Sequence, residues 1–352
     1  MEFGPVSITD AEGSVLAHSL ETPVRRIKKG TVLDVNHLNA LQQAGFRSII
    51  VARLAKDDVS EDEAAQTLAL ALCGSQGCLD ADATEQGLKA VSVSTGRVNL
   101  HATHDGVVFA DRIGVNAFNT VDPAITLATL ADGTGVKTGD MVATLKIIPF
   151  AVSEASVQEA AHVAQEAHAL RVAPPEHMQV VLIQTRLPGV KESVLDKTRR
   201  HLEKRLALSS ASLLTELRME HETNALTQAM AEAMETPNFM LERDSIIVFG
   251  ASAICDAHDV IPTALEQAGG TVTSFGMPVD PGNLLMVGRL GGSFVIGAPG
   301  CARSPAENGF DWVLARIAHC LPVGPDYIAG LGVGGLLKEI KSRPQPRDPQ
   351  NR

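Results

Sequence analysis

Residues 178 to 321 alternate between short, continuous apolar segments and longer amphipathic segments. Segments such as "MQVVLIQT" and "DSIIVFGAS" have apolar residues at successive positions, as strands do when both faces of their sheet are covered. Helix patterns such as "KESVLDKTRRHLEKRLALS" and "DVIPTALEQAGG" stand between these segments. Strands that alternate with helices in this way form a mostly parallel sheet. The sequence therefore predicts an α/β domain over residues 176–325, with helices on both faces of its sheet.

The preceding residues have a different pattern. Short β-type runs such as "RSIIVARL" and "DMVATLKIIPFAV" are separated by Asp-Gly and Gly-Asp turns, with helices at "DVNHLNALQQAG" and "EDEAAQTLALALCG". The stretch from Ser153, "SEASVQEAAHVAQEAHALRV", is rich in Ala and Glu and predicts a further helix. We therefore expect four segments besides the α/β domain: an N-terminal α+β segment (1–75), a mixed, β-rich domain (76–152), a connecting helix (153–175) and a charged, Pro-rich C-terminal tail (326–352).

Composition restricts the class of partner. A formal net charge of −11 and an aromatic content of 3% argue against nucleic-acid binding. No window approaches eighteen uninterrupted apolar residues, and the opening "MEFGPVSITDAEGSVLAHSL" carries acids and glycines where a secretory signal has its apolar region. The cysteine count is odd, at five. We expect a cytoplasmic protein in a reducing compartment that binds neither nucleic acid nor membranes.

Polar and turn-forming residues follow four of the predicted strands of the α/β domain. The segments are "RLPGVKESVLDKT", "GASAICDAHD", "GMPVDPGN" and "APGCARSPAENG". In an open α/β sheet, ligands bind beyond the carboxyl ends of the strands. The four segments therefore predict a binding site at that edge of the sheet.

The segment "GASAICDAHD" has the chemistry of an anion site. Its small side chains let backbone N–H groups approach a ligand, and the N-terminus of the helix that begins near Asp259 favours negative charge. Asp256 and Asp259 are candidate ligands for Mg²⁺. The alternative is that Asp259 only caps that helix, although the two roles are compatible. His258, between them, is a candidate for direct ligand contact or for a local hydrogen bond.

The segment "APGCARSPAENG" contributes Arg303, whose planar guanidinium matches phosphate or pterin-like acceptors. The alternative for Arg303 is a surface salt bridge. Ser304 or Asn308 is expected to cap the following helix. Cys301 and Cys255 have no basic partner at a fixed spacing, so we interpret them as lining the site.

The order of these motifs resembles the molybdopterin-binding domain of molybdenum-cofactor biosynthesis proteins. "GASAICDAHDVIPTALEQAGG" is similar to that family's loop of small residues followed by D-x-x-P-x-A, and "LDKT" to its D-x-N/T. "MPVDPGNLLMVGRL" is similar to its M-x-P-G-x-P, and "GAPGCARSPAENG" to its G-x-P-G-N-P-x-S. Two positions depart from the family pattern, because Ala251-Ser252 stands where the family has Gly-Gly and Cys301 where it has Asn.

The resemblance implies a three-layer α/β/α domain that binds the pterin dithiolene and its phosphate. It implies a molybdopterin molybdotransferase-like activity, in which Asp259 is the essential aspartate associated with metal or molybdate chemistry, and an oligomeric protein. We expect Asp256 to be a second catalytic residue and, with Asp259, a ligand of Mg²⁺. Residues 1–60 faintly resemble the segment that accompanies molybdate-inserting members of the family. The whole chain looks most like the molybdopterin-binding half of proteins that carry a cytidylyltransferase-like domain.

Two further functions remain open from the sequence. One is a non-catalytic carrier of the cofactor that serves a separate cytidylyltransferase or molybdoenzyme, and the other is a generic nucleotide-handling protein. The ligand-binding residues implied by the matched motifs are Asp196, Thr198, Gly250, Ala251, Ser252, Ala253, His258, Pro281, Gly282, Asn283, Pro299, Gly300, Cys301, Arg303 and Ser304.

Overall fold

The computed structural model describes residues 1–74 and 85–337. The chain divides into two compact units, Met1–Pro174 and Pro175–Arg352. Cys78 and the part of the predicted tail beyond residue 337 lie outside the described residues. Within the described residues, no helix is long and apolar enough to cross a membrane.

The helices and strands of the first unit follow in chain order. The helices are α1 (Val35–Gln43), α2 (Glu61–Cys73), α3 (Arg112–Val121) and α4 (Glu154–Ala167). The strands are β1 (Glu2–Ser7), β2 (Val15–Leu16), β3 (Leu20–Glu21), β4 (Arg26–Ile27), β5 (Ser48–Arg53), β6 (Asp58–Ser60), β7 (Leu88–Ser94), β8 (Arg97–Ala102), β9 (Gly106–Ala110), β10 (Ile125–Thr129), β11 (Gly135–Val136), β12 (Met141–Ile147), β13 (Ala151–Ser153) and β14 (Leu170–Ala173).

The first unit contains two separate apolar cores. The smaller core lies between Ile8 and Val51 and joins α1 to the antiparallel sheet β1-β5-β2. Helix α1 begins where the sequence predicts, because the Asp34 carboxylate accepts the His37 N–H at 2.8 Å. The larger core runs from Ala64 to Val172 and covers the sheet β10-β12-β8-β7.

The larger core corrects three expectations about the first unit. Helix α2 packs against β7, β8 and β12, so it shares its core with the residues predicted as a separate domain from position 76. Helix α4 is not a connector, because Val157, Ala160 and Ala164 are buried in this core. It also ends earlier than predicted, since His168 takes a left-handed conformation and β14 follows. Helix α3 was missed from the sequence.

The second unit follows in the same numbering. Its helices are α5 (Glu192–Leu208), α6 (Thr223–Met234), α7 (Val260–Gln267), α8 (Gly309–Ala318) and α9 (Pro325–Gly330). Its strands are β15 (Gln179–Arg186), β16 (Ser212–Glu220), β17 (Ser245–Phe249), β18 (Thr271–Phe275), β19 (Met286–Leu290) and β20 (Ser293–Gly297).

These strands form a six-stranded sheet in the order β16-β15-β17-β20-β19-β18. Strands β16, β15, β17 and β20 are parallel neighbours. Strand β19 is antiparallel to both β20 and β18, so β18 points in the same direction as the four parallel strands. The mostly parallel sheet is confirmed, and β19 and β20 form a hairpin that turns at Gly291-Gly292.

Alternate residues of the central strands enter two apolar cores. Val180 and Leu182 of β15 pack on one face with α5, α8 and α9, whereas Val181 and Ile183 pack on the other with α6 and α7. The unit therefore has three layers, helices–sheet–helices. The continuous apolar strand segments in the sequence follow from this arrangement, because both faces of the sheet are covered.

Two segments of the second unit differ from expectation. Strand β16 lies at the edge of the sheet and has half-buried residues along most of its length, so its segment lacks the continuous apolar run that identifies the central strands. The predicted tail does not begin at residue 326. Helix α9 buries Ile328 in the apolar core, and Leu337 donates its backbone N–H to the Asp280 carbonyl at 3.0 Å.

Helix α8 begins in close contact with the loop that follows β18. The Gly309 N–H donates to the Pro281 carbonyl at 3.0 Å. A Cβ at Gly309 would lie 2.1 Å from Met277 Cε and 2.8 Å from Val279 Cγ1. Glycine is therefore required at this position by packing, and the contact fixes the β18 loop against the start of α8.

We predict that Gly309→Ala lowers the free energy of unfolding of the second unit by about 1–3 kcal/mol, because the added methyl overpacks this contact. Gly300→Ala is the matched control, since a Cβ there meets nothing within 4 Å. Urea unfolding followed by the fluorescence of Trp312, the one tryptophan of the chain, measures both variants. Equal stability of the two variants would contradict the packing account.

Candidate functional site

The loops singled out in the sequence follow β15, β17, β18 and β20, and these strands point in the same direction. Their loops therefore leave the sheet at its C-terminal edge. Strand β16 ends at the same edge and contributes His221, which directly follows it. The geometry at this edge is set mainly by two arginines, Arg205 and Arg303, and by a chain of hydrogen bonds through His221.

Arg205 of α5 is 7% exposed and holds the main chain of the loop after β20. Its guanidinium donates to the carbonyls of Ala302 at 3.2 Å, Ser304 at 2.7 Å and Ala306 at 3.0 Å. Its Nε pairs with the Asp311 carboxylate at 2.5 Å. One buried side chain thus satisfies three loop carbonyls and a carboxylate of α8.

Asp311 also belongs to the capping box of α8. Its carboxylate accepts the Asn308 N–H at 2.8 Å, and the Asn308 side chain accepts the Phe310 N–H at 3.0 Å. Asn308, rather than Ser304, therefore caps α8. Two sets of contacts therefore fix the loop after β20. Arg205 binds its carbonyls, and the capping box of α8 holds its last residues.

Arg205 was not identified from the sequence, where α5 reads as a long charged helix. A signal was present, because Leu195, Thr198, Leu202 and Arg205 follow one another at three- and four-residue spacings, which share one face of a helix. An arginine on the apolar face of a helix needs partners, and here they are loop carbonyls from a segment about a hundred residues away.

Arg303 is half-buried and contacts three elements. Its guanidinium donates to Thr198 Oγ1 of α5 at 2.7 Å and to the Gly250 carbonyl after β17 at 2.9 Å. A longer contact of 3.4 Å reaches Gln184 Oε1 at the end of β15. The Phe249 ring lies 5.1 Å from the guanidinium carbon.

All of these Arg303 acceptors are neutral. Among the described residues, no carboxylate lies within salt-bridge distance of Arg303, so the surface salt bridge considered from the sequence is not formed. Burial lowers the pKa of the guanidinium, but an arginine keeps its proton in proteins. The sheet edge therefore carries a positive charge without a protein counter-ion in the described part of the chain.

A chain of hydrogen bonds joins the ends of three strands. The Ala251 N–H donates to Thr185 Oγ1 at 2.9 Å, and Thr185 Oγ1 lies 2.8 Å from His221 Nδ1. His221 Nε2 lies 2.7 Å from Ser252 Oγ. Burial lowers the pKa of His221, against an opposing effect of the Asp259 charge. Thr185 and His221 were missed from the sequence, because the bonded residues lie more than thirty positions apart.

The two candidate metal ligands each bond to the backbone. The Asp256 carboxylate accepts the His258 N–H at 2.8 Å, and the Asp259 carboxylate accepts the Cys255 N–H at 2.9 Å. Asp259 stands at the N-cap of α7 without a side-chain cap hydrogen bond, so it does not act as a simple cap. No group of three or more metal-ligating side chains occurs in the described parts of the chain. Both carboxylates therefore have backbone partners, and this geometry gives no support to a Mg²⁺ site at Asp256 and Asp259.

Two predicted residues of α5 have different environments. The Asp196 carboxylate accepts from Arg218 Nη2 at 2.7 Å, and Arg218 also pairs with Glu192 and Glu216. Asp196 is thereby part of a cluster of charged side chains at the end of β16. The Thr198 hydroxyl donates to the Val194 carbonyl at 2.9 Å and accepts from Arg303, so Thr198 holds the Arg303 guanidinium against α5.

The predicted residues of the β18 loop bond mainly within the fold. Asp280-Pro281 is a cis peptide, and the Pro281 carbonyl accepts from the backbone of α8. Gly282 has a φ of +138°, and a Cβ there would lie 2.8 Å from Met277 Cε. The Asn283 carbonyl accepts the Met277 N–H at 3.0 Å. These contacts attach the loop to the start of α8, and a role in ligand binding stays a prediction for all three.

The remaining predicted residues lie in the β17 and β20 loops. Gly300 and Cys301 stand in a 3₁₀ turn, Gly300–Arg303, which Pro299 precedes. Burial raises the pKa of the Cys301 thiol, so its thiolate is disfavoured. Ala253 and His258 are exposed, as a ligand contact requires.

A cavity of about 250 Å³ lies elsewhere, in the first unit. Apolar and polar side chains line it together, among them Leu72, Gln165 and His168. It shares no residue with the sites predicted from the sequence.

Comparison with known proteins adds little to this geometry. A family model described as a domain of unknown function, DUF8806, matches residues 5–53, within the first unit. No curated protein matches the chain. Neither finding assigns chemistry to the sheet edge.

Two solved structures are similar over most of the chain. One, of a molybdopterin biosynthesis MoeA protein from Pyrococcus horikoshii, has 11% identity and a TM-score of 0.30, and the match covers 91% of this chain and 75% of that chain. Another MoeA structure, from Pyrococcus horikoshii OT3, has 9% identity and a TM-score of 0.26, covering 93% and 76%. Superpositions at these TM-scores carry no weight for the site.

We predict that Arg205→Met lowers the free energy of unfolding of the second unit by about 2–4 kcal/mol, because it leaves three loop carbonyls and Asp311 without their partner. Arg200→Met is the matched control, since Arg200 is exposed on the same helix. Urea unfolding followed by Trp312 fluorescence measures both. A change of less than about 0.5 kcal/mol for Arg205→Met, within the range of surface substitutions, would show that Arg205 does not hold the loop.

Proposed function

We propose that the second unit binds molybdopterin, or its adenylate, at the C-terminal edge of its sheet and acts in molybdenum-cofactor biosynthesis. The ligand class comes from the four sequence motifs and their order along the chain. The observation that carries the proposal is Arg303, whose charge has only neutral partners among the described residues. A phosphate is the part of such a ligand that this charge would hold.

The charge balance of the chain supports an anionic ligand at Arg303. The chain as a whole is acidic, with 41 Asp and Glu residues against 30 Lys and Arg residues and a formal net charge of −11. Arg218, on β16, is surrounded by three carboxylates, whereas Arg303 has none within salt-bridge distance among the described residues. A partly desolvated cation without a counter-ion is costly, and a bound phosphate would offset that cost with charge-assisted hydrogen bonds.

The loops around Arg303 are held before any ligand binds. Arg205 fixes the carbonyls of the residues on either side of Arg303 in the sequence, Ala302 and Ser304, and Arg303 itself donates to the Gly250 carbonyl of the β17 loop. Fewer groups then have to be ordered on binding, which favours affinity. The carboxyl ends of the strands are also where open α/β sheets bind their ligands.

The proposed activity is assistance of molybdate insertion or of cofactor transfer. Asp259 occupies the position of the aspartate in the D-x-x-P-x-A motif, and we propose that it contacts the ligand near the reacting group. Its carboxylate is bonded to the Cys255 N–H, which holds its orientation. In this proposal the contribution of the chain's own residues is to bind and orient the ligand.

A second candidate function is a carrier that holds the cofactor without turnover and passes it to a cytidylyltransferase or a molybdoenzyme. The environment of the two aspartates favours this carrier function. Asp256 and Asp259 accept hydrogen bonds from the backbone and form no metal-ligand group with other described residues. The two departures from the family motifs, Ala251-Ser252 and Cys301, also lie where the ligand is expected.

We predict that Arg303→Gln weakens molybdopterin binding roughly 10- to 150-fold, because glutamine keeps a hydrogen-bond donor but loses the charge. Arg243→Gln is the matched control. Arg243 precedes β17, at the opposite edge of the sheet, and donates to the His177 carbonyl. Isothermal titration with molybdopterin measures both dissociation constants. An unchanged constant for Arg303→Gln removes Arg303 from the site.

The enzyme and carrier functions are separated by one assay. Purified protein is mixed with molybdopterin adenylate and molybdate, and the formation of molybdenum-loaded pterin is followed. We expect turnover in the wild type and a loss of at least about tenfold in Asp259→Asn, since the carboxamide lacks the negative charge. Binding without any loaded product in the wild type would contradict the enzyme and leave the carrier.

A further inference from the structure

The chain of hydrogen bonds that runs from the Ala251 amide through Thr185 and His221 to Ser252 has one direction of donation, which the chemistry of its first members sets. An amide N–H only donates, so Thr185 Oγ1 must accept from Ala251. Thr185 is 1% exposed, and its hydroxyl proton needs an acceptor of its own. Among the described residues, the other hydrogen-bond partner of that hydroxyl is His221 Nδ1, at 2.8 Å.

This assignment fixes the tautomer of His221. If the Thr185 hydroxyl donates to Nδ1, then Nδ1 carries no proton and the neutral ring carries its proton on Nε2. Nε2 then donates to Ser252 Oγ at 2.7 Å. The Ser252 hydroxyl, having accepted this bond, has its own proton left to donate, and Ser252 is exposed.

We propose that this relay makes Ser252 a dedicated hydrogen-bond donor to an oxygen acceptor of the ligand, with Thr185 and His221 as the residues that position it. The relay consists of the Ala251 amide, Thr185, His221 and Ser252. The proposal rests on the proposed function only for the identity of the ligand. It assigns roles to Thr185 and His221, which no motif in the sequence indicates.

The surroundings of Ser252 favour an anionic oxygen as the acceptor. In the described part of the chain, the amides of Ala253 and Ile254 donate to no protein acceptor, so two further backbone donors follow Ser252 in the sequence. Arg303 binds the Gly250 carbonyl two residues before Ser252 and adds a positive charge to the same loop. A phosphate oxygen accepts strongly from such donors.

The relay also depends on a neutral His221. A protonated ring donates from both nitrogens, and the Thr185 hydroxyl then loses its acceptor in a buried position. Burial lowers the pKa of His221, which keeps the ring neutral near pH 7, and the Asp259 carboxylate opposes this effect. The nearby charges on the strand ends, Glu220 and Arg186, are paired with each other.

The direction of the relay is measured by nitrogen NMR on the full-length protein labelled with ¹⁵N-histidine. Long-range proton–nitrogen correlations distinguish the two neutral tautomers, and the His221→Gln spectrum identifies the His221 signals. We expect the proton on Nε2 in the wild type at neutral pH. The proton on Nδ1, or a mixture of tautomers, would overturn the proposal, whether or not molybdopterin binds.

Two variants of Thr185 separate the relay from simple packing. Thr185→Ser keeps the hydroxyl and should keep the Nε2 tautomer, whereas Thr185→Val keeps the shape and should give a mixture of tautomers. An Nε2 tautomer that persists in a folded Thr185→Val protein would show that Thr185 does not set the direction. If Thr185→Val does not fold, the wild-type and Thr185→Ser spectra decide.

The opposite direction would make Ser252 a nucleophile, since an unprotonated Nε2 accepts the hydroxyl proton. A fluorophosphonate probe would then form a bond from Ser252 Oγ to phosphorus, with loss of fluoride and transfer of the proton to His221. We expect no adduct by mass spectrometry. An adduct on the wild type that is absent from Ser252→Ala would overturn the proposal.

Ligand binding tests the donor role of Ser252. We expect Ser252→Ala to raise the dissociation constant for molybdopterin about tenfold or more, as for loss of a hydrogen bond to a charged group. An unchanged constant would overturn the donor role while leaving the proposed function in place. If the wild type does not bind molybdopterin, the proposed function fails, and the tautomer measurement alone decides the relay.

Discussion

The conformation of the sheet edge depends on the hydrogen bonds that the buried Arg205 guanidinium makes to the loop after β20. A loop of irregular backbone after β20 brings several carbonyls below the surface, and each must find a donor. The Arg205 guanidinium donates to three of these carbonyls and pairs with Asp311, which also completes the cap of α8. The residues between the strand and the helix are therefore held in one conformation, and Arg303 is the side chain that this conformation presents to the neighbouring loops.

The two arginines at this edge have opposite charge environments. Arg205 is paired with a carboxylate and fully used by the fold, whereas Arg303 has neutral acceptors and no carboxylate within reach in the described residues. If Arg303 served only to hold the loops together, a carboxylate could neutralise its charge, as Asp311 does for Arg205. An unpaired charge is what a phosphate-binding arginine requires, because an arginine already paired with a carboxylate attracts a phosphate less strongly.

The sequence was informative where the pattern is local and uninformative where contacts join distant segments. The central strands, such as β15 and β17, are recognisable because both faces are covered, and edge strand β16 was missed because its faces are only half-buried. Arg303 was singled out because of its turn-rich loop, and its role in ligand binding stays a prediction. Thr185, His221 and Ser252 meet only when three strand ends are brought side by side, and no spacing in the sequence encodes that meeting.

The most direct test of the account is native mass spectrometry of the protein purified from cells that make molybdenum cofactor. We expect a bound species whose mass corresponds to molybdopterin, its adenylate or the molybdenum-loaded form, and we expect it to be absent from protein carrying Arg303→Gln. A bound nucleotide without a pterin, or a pterin retained equally by Arg303→Gln, would contradict the claim that this sheet edge binds a phosphorylated pterin through Arg303.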